Sequence, residues 1–188
     1  KNDSTLRVFK DRKEVNKICL MKGEMPENDN EITIDRMYAD NNKVKVGDKI
    51  RVGDKEFKVS GLVALSDFSA LYSDNNDLMF DAVLFGVAIV KDDVFEAFDH
   101  NISYSYVWKY RNEPVNETKE KKMSDKFLEK MVEDVYMVQN NVEIYIPRYQ
   151  NNAIQFTGDD IGGDQSMMLV LLYILIVIMA FVFAVTIN

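Results

Sequence analysis

One histidine and one cysteine in 188 residues exclude much chemistry at the outset. A single cysteine permits no intramolecular disulfide and no zinc site built on a cysteine pair. A single histidine, His100, permits no His-x-x-x-His metal helix. It stands beside Asp99, but the G-x-S-x-G elbow that presents a nucleophile to such a pair is absent. Basic residues are in the minority, 23 against 31 acidic ones, for a net charge of −8 and a pI near 4.8. That balance argues against nucleic acid, because phosphate binding needs clustered Lys and Arg. The phosphate loop G-x-x-x-x-G-K-[ST] is missing as well. Gly158 and Gly163 have its spacing, yet Asp164 and Gln165 follow, and an aspartate repels phosphate. Cys19, between Ile18 and Leu20, reads as a small core residue.

Acidic residues gather at Glu27, Asp29 and Glu31, at Asp74, Asp77 and Asp81, and at Asp159, Asp160 and Asp164. A calcium loop of the EF-hand type needs Asp-x-Asp/Asn-x-Asp/Asn-Gly and a Glu at its twelfth position. From Asp74 the fifth residue is Leu78 and the sixth is Met79. These clusters read as solvated turns. The sequence thus predicts no catalytic residue, no cofactor and no metal ligand.

What the chain does have is a sharp partition. Met167 to Ile187, MMLVLLYILIVIMAFVFAVTI, holds no charge, no glycine and no proline. As a helix it is about 31 Å long, close to the ~30 Å hydrocarbon core of a bilayer. Every charged residue lies in 1–166. The expected organisation is a folded domain over 1–166 followed by a transmembrane helix over 167–187, with the lipid bilayer as a partner.

The flank before the helix, TGDDIGGDQS, carries three aspartates and no base, and the nearest cation upstream is Arg148. Cytoplasmic flanks usually hold Lys or Arg within about 15–20 residues of a span. The domain is therefore expected outside the cytoplasm. A glycolipid anchor needs a polar spacer of about 8–12 residues, and only Asp164, Gln165 and Ser166 separate Gly163 from the apolar run. The first residues, Lys1 to Lys17, are charged and lack the apolar core of a signal peptide. Export then requires a signal or span upstream, so the chain is expected to be a fragment.

Within 1–166 the patterns are those of mixed strands and helices. VNKICL (15–20) predicts a short strand, GEMPENDN (23–30) a loop, and Glu31 to Ile34 a short apolar alternation. Asp35 is placed to cap a helix reaching about Asn41, with Asn41-Asn42 as its left-handed stop. Ile50 and Val52, then Phe57 and Val59, alternate on either side of Gly53-Asp54, which predicts a tight hairpin. Leu65 to Asp81 reads as a loop. Ala82 to Val90 is a nearly unbroken apolar run and predicts a strand buried on both faces. Asp93 and Glu96 resemble a capping box for a helix to Phe98.

SYSYVWKY (103–110) alternates strictly, with Tyr104, Tyr106, Trp108 and Tyr110 on one face of a predicted strand. Core packing under a helix is favoured for that face over a ligand platform. Asn112 to Lys122 reads as a loop, and Ser124 as the cap of a helix with the stripe Phe127, Leu128, Met131, Val135 and Val138. Val142 to Ile146 predicts a last strand, stopped by Pro147. The fold class is α+β, a mixed sheet with a hairpin-rich part.

One ordered series goes beyond these local signals. Gly23 and Pro26 are followed by an Asn/Asp-rich loop, then Glu31-Ile32 and a short helix. Val46-Gly47-Asp48, Ile50, a hairpin, and Val59 with Gly61-Leu62-Val63 come next. This stretch of about 45 residues resembles a recurrent segment of the FtsX-like (MacB-type) permeases of ABC transporters. The resemblance implies an extracytoplasmic domain inserted between the first and second membrane helices, in a bacterial cell membrane. It further implies a cytoplasmic ABC ATPase on a separate chain and a second permease copy or homologous permease subunit. It assigns no catalytic residue to the domain, whose task would be to turn ATP-driven movement into export, substrate handling or signalling outside the membrane.

Two other readings fit the same partition. A sensor ectodomain of a membrane receptor such as a histidine kinase would also end in an inward-going helix, followed by a linker and a kinase region. A tail-anchored cytosolic protein would stop near Asn188. Two further hydrophobic spans beyond that point would mark the permease.

Overall fold

The computed structural model of the protein describes residues 4–98, 102–137 and 144–187. It divides into two compact units, Lys1–Ile154 and Gln155–Asn188. The first unit carries a six-stranded sheet formed by β1 (Thr5–Phe9), β2 (Ile18–Gly23), β3 (Glu31–Asp35), β4 (Lys49–Val52), β5 (Lys55–Leu65) and β6 (Phe85–Ile89). Its helices are α1 (Arg36–Asn42), α2 (Asp92–Glu96) and α3 (Glu117–Met137). The long α4 (Asn152–Ile187) begins in the first unit and makes up the second. Strand order is β1-β6-β3-β5-β2, with β4 beside β5. β1 runs parallel to β6 and β3 to β5, and the remaining pairs are antiparallel. The class is α+β, as the sequence predicts.

The central strands are the apolar ones. All five residues of β6 are buried, and Ile32, Thr33 and Ile34 of β3 are wholly so, as expected where both faces of a strand are covered. Phe57, Val59, Val63 and Leu65 of β5 and Tyr38 and Ala39 of α1 complete the core. Parallel strands need a crossover, and α1 with β4 supplies the one between β3 and β5.

Two local signals formed as their chemistry demands. Asp35 caps α1, its carboxylate accepting from Met37 N at 2.7 Å and Tyr38 N at 3.1 Å. Gly53-Asp54 closes the β4–β5 hairpin, with Val52 opposite Lys55 and Gly53 at φ +57°.

The Asp35 carboxyl is buried, and burial raises its pKa, opposed by the two amide hydrogen bonds. A raised folded pKa means that this group favours the fold fully below its ordinary value near 3.8. That contribution is lost as pH rises through the raised value. Asp35→Asn keeps the acceptor and removes the charge. Urea titrations across pH should show wild type gaining on Asp35→Asn as pH falls towards 4. The difference should be constant at neutral pH. Asp35→Ala should cost about 1–2 kcal/mol at neutral pH through the lost cap, and more as pH falls towards 4.

Elsewhere the structure corrects the local readings. The left-handed residue after α1 is Lys43, at φ +57°, not an asparagine. Asn41 and Asn42 lie inside the helix and donate back to the carbonyls of Met37 and Tyr38. β2 sits three residues later than its predicted span. β6 starts at Phe85, because the Asp81 carboxylate accepts from Val83 N and Leu84 N and turns residues 82–84 away from the sheet. Lys91, whose side chain pairs with Asp29 and makes no capping bond, is the N-cap of α2, and Asp93 lies in its first turn.

SYSYVWKY is not a strand. A strand exists only with a neighbour to bond, and none of the six pairs with it. Ile144 to Ile146 is likewise irregular, and 142–143 fall outside the described residues. The stretch 117–122 is helical rather than loop, and Ser124 is buried within α3 rather than capping it. Asn116 takes the capping role, its side-chain oxygen accepting from Lys119 N at 2.9 Å. Along α3, Leu128 and Met131 are half-buried and Phe127 is packed on Trp108. Val138 lies outside the described residues.

Candidate functional site

The feature with the plainest functional chemistry is α4. Its 36 residues include the whole apolar run, and it is long and apolar enough to cross a membrane. That run is unburied along its length, so it is not a core helix of this chain among the described residues. Two hydroxyls of α4 bond back to the helix backbone. Thr186 Oγ1 donates to the Val182 carbonyl at 2.8 Å and, before the run, Ser166 Oγ donates to Gly162 O at 3.0 Å. Such back-bonding satisfies hydroxyls where no water is at hand.

The helix starts fifteen positions before the apolar run, at Asn152 rather than Met167. Gly162 and Gly163 lie inside it, with nothing within 4 Å of a Cβ at either position. Gly158 is helical too, so the residues with phosphate-loop spacing form no loop. The first turn is tied down by side chains. Asn151 Oδ1 accepts from Ile154 N at 3.2 Å, and Asn75 Oδ1 accepts from Asn152 N at 3.1 Å. Asn75 Nδ2 donates to the Gln150 carbonyl at 3.0 Å, and Asn152 Nδ2 to the Asn75 carbonyl at 2.9 Å. Ser69 Oγ donates to the carbonyl of the buried Ala153.

Two of the three acidic clusters build turns; the third, Asp159, Asp160 and Asp164, lies within the helix α4 instead of a turn. The Glu31 carboxylate accepts from the backbone amides of Glu27 and Asn28, which lowers its pKa. Asp77 accepts from Ser73 Oγ at 2.6 Å and Asp74 N at 2.8 Å, and its pKa is lowered in consequence. No group of three or more possible metal ligands occurs among the described residues. Asp164 is exposed, while the side chains of Asp159 and Asp160 fall outside the described ones, as do His100 and Asp99. Cys19 is exposed, against expectation. β2 is an outer strand bonded only to β5, and Cys19, Leu20 and Met21 in succession stay open to solvent.

The aromatic face divides. Trp108 lies 4.6 Å from the Phe127 ring and stacks at 5.7 Å on Tyr145, and Tyr110 bonds Ser124 at 3.3 Å. Tyr104 and Tyr106 are exposed, at 79% and 84%.

Several residues of the ordered motif series lie on β5 or bond to it. Gly23 is paired with Gly61 where β2 leaves β5. A Cβ on Gly23 would stand 2.3 Å from the Ser60 carbonyl oxygen, and one on Gly61 would stand 2.6 Å from that of Glu24. Gly47 N donates to Val59 O and Val59 N to Asp48 O, both at 2.8 Å. These residues are structural: they hold β2, β5 and the hairpin together.

No protein-family model, curated protein or solved structure matches this chain. Its function must be argued from the molecule. The anchors of α4, above all Asn75 and Ser69, escaped sequence reading, which saw only an Asn/Asp/Ser-rich loop there. The one available signal was the Asn151-Asn152 pair, a capping composition ahead of the helix.

Proposed function

We propose that this chain is the extracytoplasmic domain and following membrane helix of an FtsX-like (MacB-type) ABC transporter permease. The observation that carries the reading is a helix that begins among the side chains of a sheet unit and continues as an exposed apolar span. A domain so attached responds when its helix moves. The attachment of the motif glycines and the Val-Gly-Asp turn to β5 supports the same reading. ATP hydrolysis then belongs to a cytoplasmic ATPase on another chain, and the bilayer and a second permease subunit are the remaining partners. The acidic flank before the span supports a position of residues 1–166 outside the cytoplasm of a bacterial cell. The domain's work is mechanical coupling to export, substrate handling or signalling.

Cys19 tests the topology without any substitution, since it is the sole cysteine and is exposed. A membrane-impermeant maleimide should label it in intact cells, and Cys19→Ser should abolish the signal. Labelling only after lysis would put the domain in the cytosol and end the permease reading.

A further inference from the structure

We propose that segment 66–77 is a strap fixing the first turn of α4 to the sheet, and hence the point through which movement of α4 reaches it. The transmission half rests on the permease reading, and the fixing half does not. A helix start leaves backbone donors without intrahelical acceptors. Here one of them, Asn152 N–H, is satisfied by Asn75, a residue remote in sequence. Asn75 bonds three groups on residues 150–152, and Ser69 adds the Ala153 carbonyl.

The strap is itself held at several points. Asp67 pairs with Arg12 at 2.5 Å, both side chains mostly buried. Arg7 of β1 donates to the Ser73 carbonyl at 2.8 Å. Phe68 lies 5.6 Å from Phe9 of β1 and 6.3 Å from Phe85 of β6. Asp77 closes the 73–77 turn. A continuous set of contacts therefore leads from the first turn of α4 through the strap to β1 and β6.

Hydrogen exchange of the full chain in lipid nanodiscs tests both halves. Asn75→Ala should speed exchange over 150–154 by about tenfold or more, with β3, β5 and β6 unchanged. Asn75→Asp keeps the acceptor for Asn152 N–H and puts a negative charge at a helix N-terminus. It also loses the donor to the Gln150 carbonyl, so exchange there should lie between wild type and Asn75→Ala. Replacing Gly162 and Gly163 by Ala stabilises α4 in open space, and should slow exchange over 73–77 by about threefold or more. In the Asn75→Ala background that slowing should vanish. Unchanged exchange in Asn75→Ala, or equal opening in Asn75→Asp, overturns the strap. Slowing that persists without Asn75 overturns its role in transmission. Neither result depends on Cys19 labelling, which tests the permease reading by itself.

Discussion

Gly23→Ala should unfold the sheet unit about 10 °C or more below wild type, a larger loss than a surface substitution gives. Two costs add at that position. The backbone sits at φ +79°, where a Cβ costs about 1–2 kcal/mol. The new Cβ would also stand 2.3 Å from Ser60 O and 2.8 Å from Gly61 Cα, both backbone atoms of a central strand that cannot swing aside. Overpacking of that kind costs about 1–3 kcal/mol or more, so the sum is about 2–5 kcal/mol. Typical domains have only about 5–15 kcal/mol to lose. Gly61→Ala isolates the second cost, because Gly61 has no positive φ but its Cβ would stand 2.6 Å from Glu24 O and 2.9 Å from Lys22 O. It should therefore be the milder of the two. The positions face each other in register, so the double variant should cost less than the sum. Thermal circular dichroism of the full chain in mild detergent measures all three. A Gly23→Ala protein that melts with wild type would show that β2 and β5 do not meet in this register.

The same corner shows why part of the fold was legible. Asp35 needs only Met37 and Tyr38 to act as a cap, and Gly53-Asp54 needs only its flanking residues to form a hairpin. β6 could be read because a strand buried on both faces is apolar throughout, and β3 from the alternation of Ile32 and Ile34. SYSYVWKY has as good an alternation as any strand here, yet alternation states only which faces differ. Whether a strand forms depends on a partner, and the sheet's outer positions are held by β1 and β2. Cys19 was misjudged for the same reason. Apolar neighbours in sequence say nothing of whether a strand lies at the centre or the edge.

The site was legible in its bulk term and illegible in its polar ones. Twenty-one uncharged residues announce a membrane-length helix by composition alone. Where that helix begins is decided by Asn151 locally and by Asn75 and Ser69 across the chain. Such remote single hydrogen bonds leave no periodicity to read. The glycine pair at 162–163 does not break the helix, because a glycine costs it only about 1 kcal/mol, and cooperative propagation from the capped turn and the apolar run carries the helix through it.

With residues 1–188 expressed by themselves, replacing Ile174, Ile178 and Val182 by Arg should release them from the membrane altogether. The three lie four residues apart, on one face of α4, each about half exposed or more. Fourteen Leu, Ile, Phe and Val residues between 167 and 187 contribute about −0.3 to −0.6 kcal/mol each near the span centre, or roughly −4 to −8 kcal/mol together. Each central arginine opposes this by about 2.5–3.5 kcal/mol, so three outweigh it. No acidic residue lies within the run to neutralise them, since the nearest, Asp164, precedes it. Wild type should stay in the pellet on alkaline carbonate extraction of membranes, and the triple variant should move to the supernatant or be degraded. Ile174→Leu with Ile178→Leu should behave as wild type, because it keeps the apolar run. Sedimentation of the triple variant with the membrane fraction after carbonate would mean that α4 is not what holds the protein there. An exposed apolar helix would then have to be covered by protein, and the reading of α4 as a membrane span would fall.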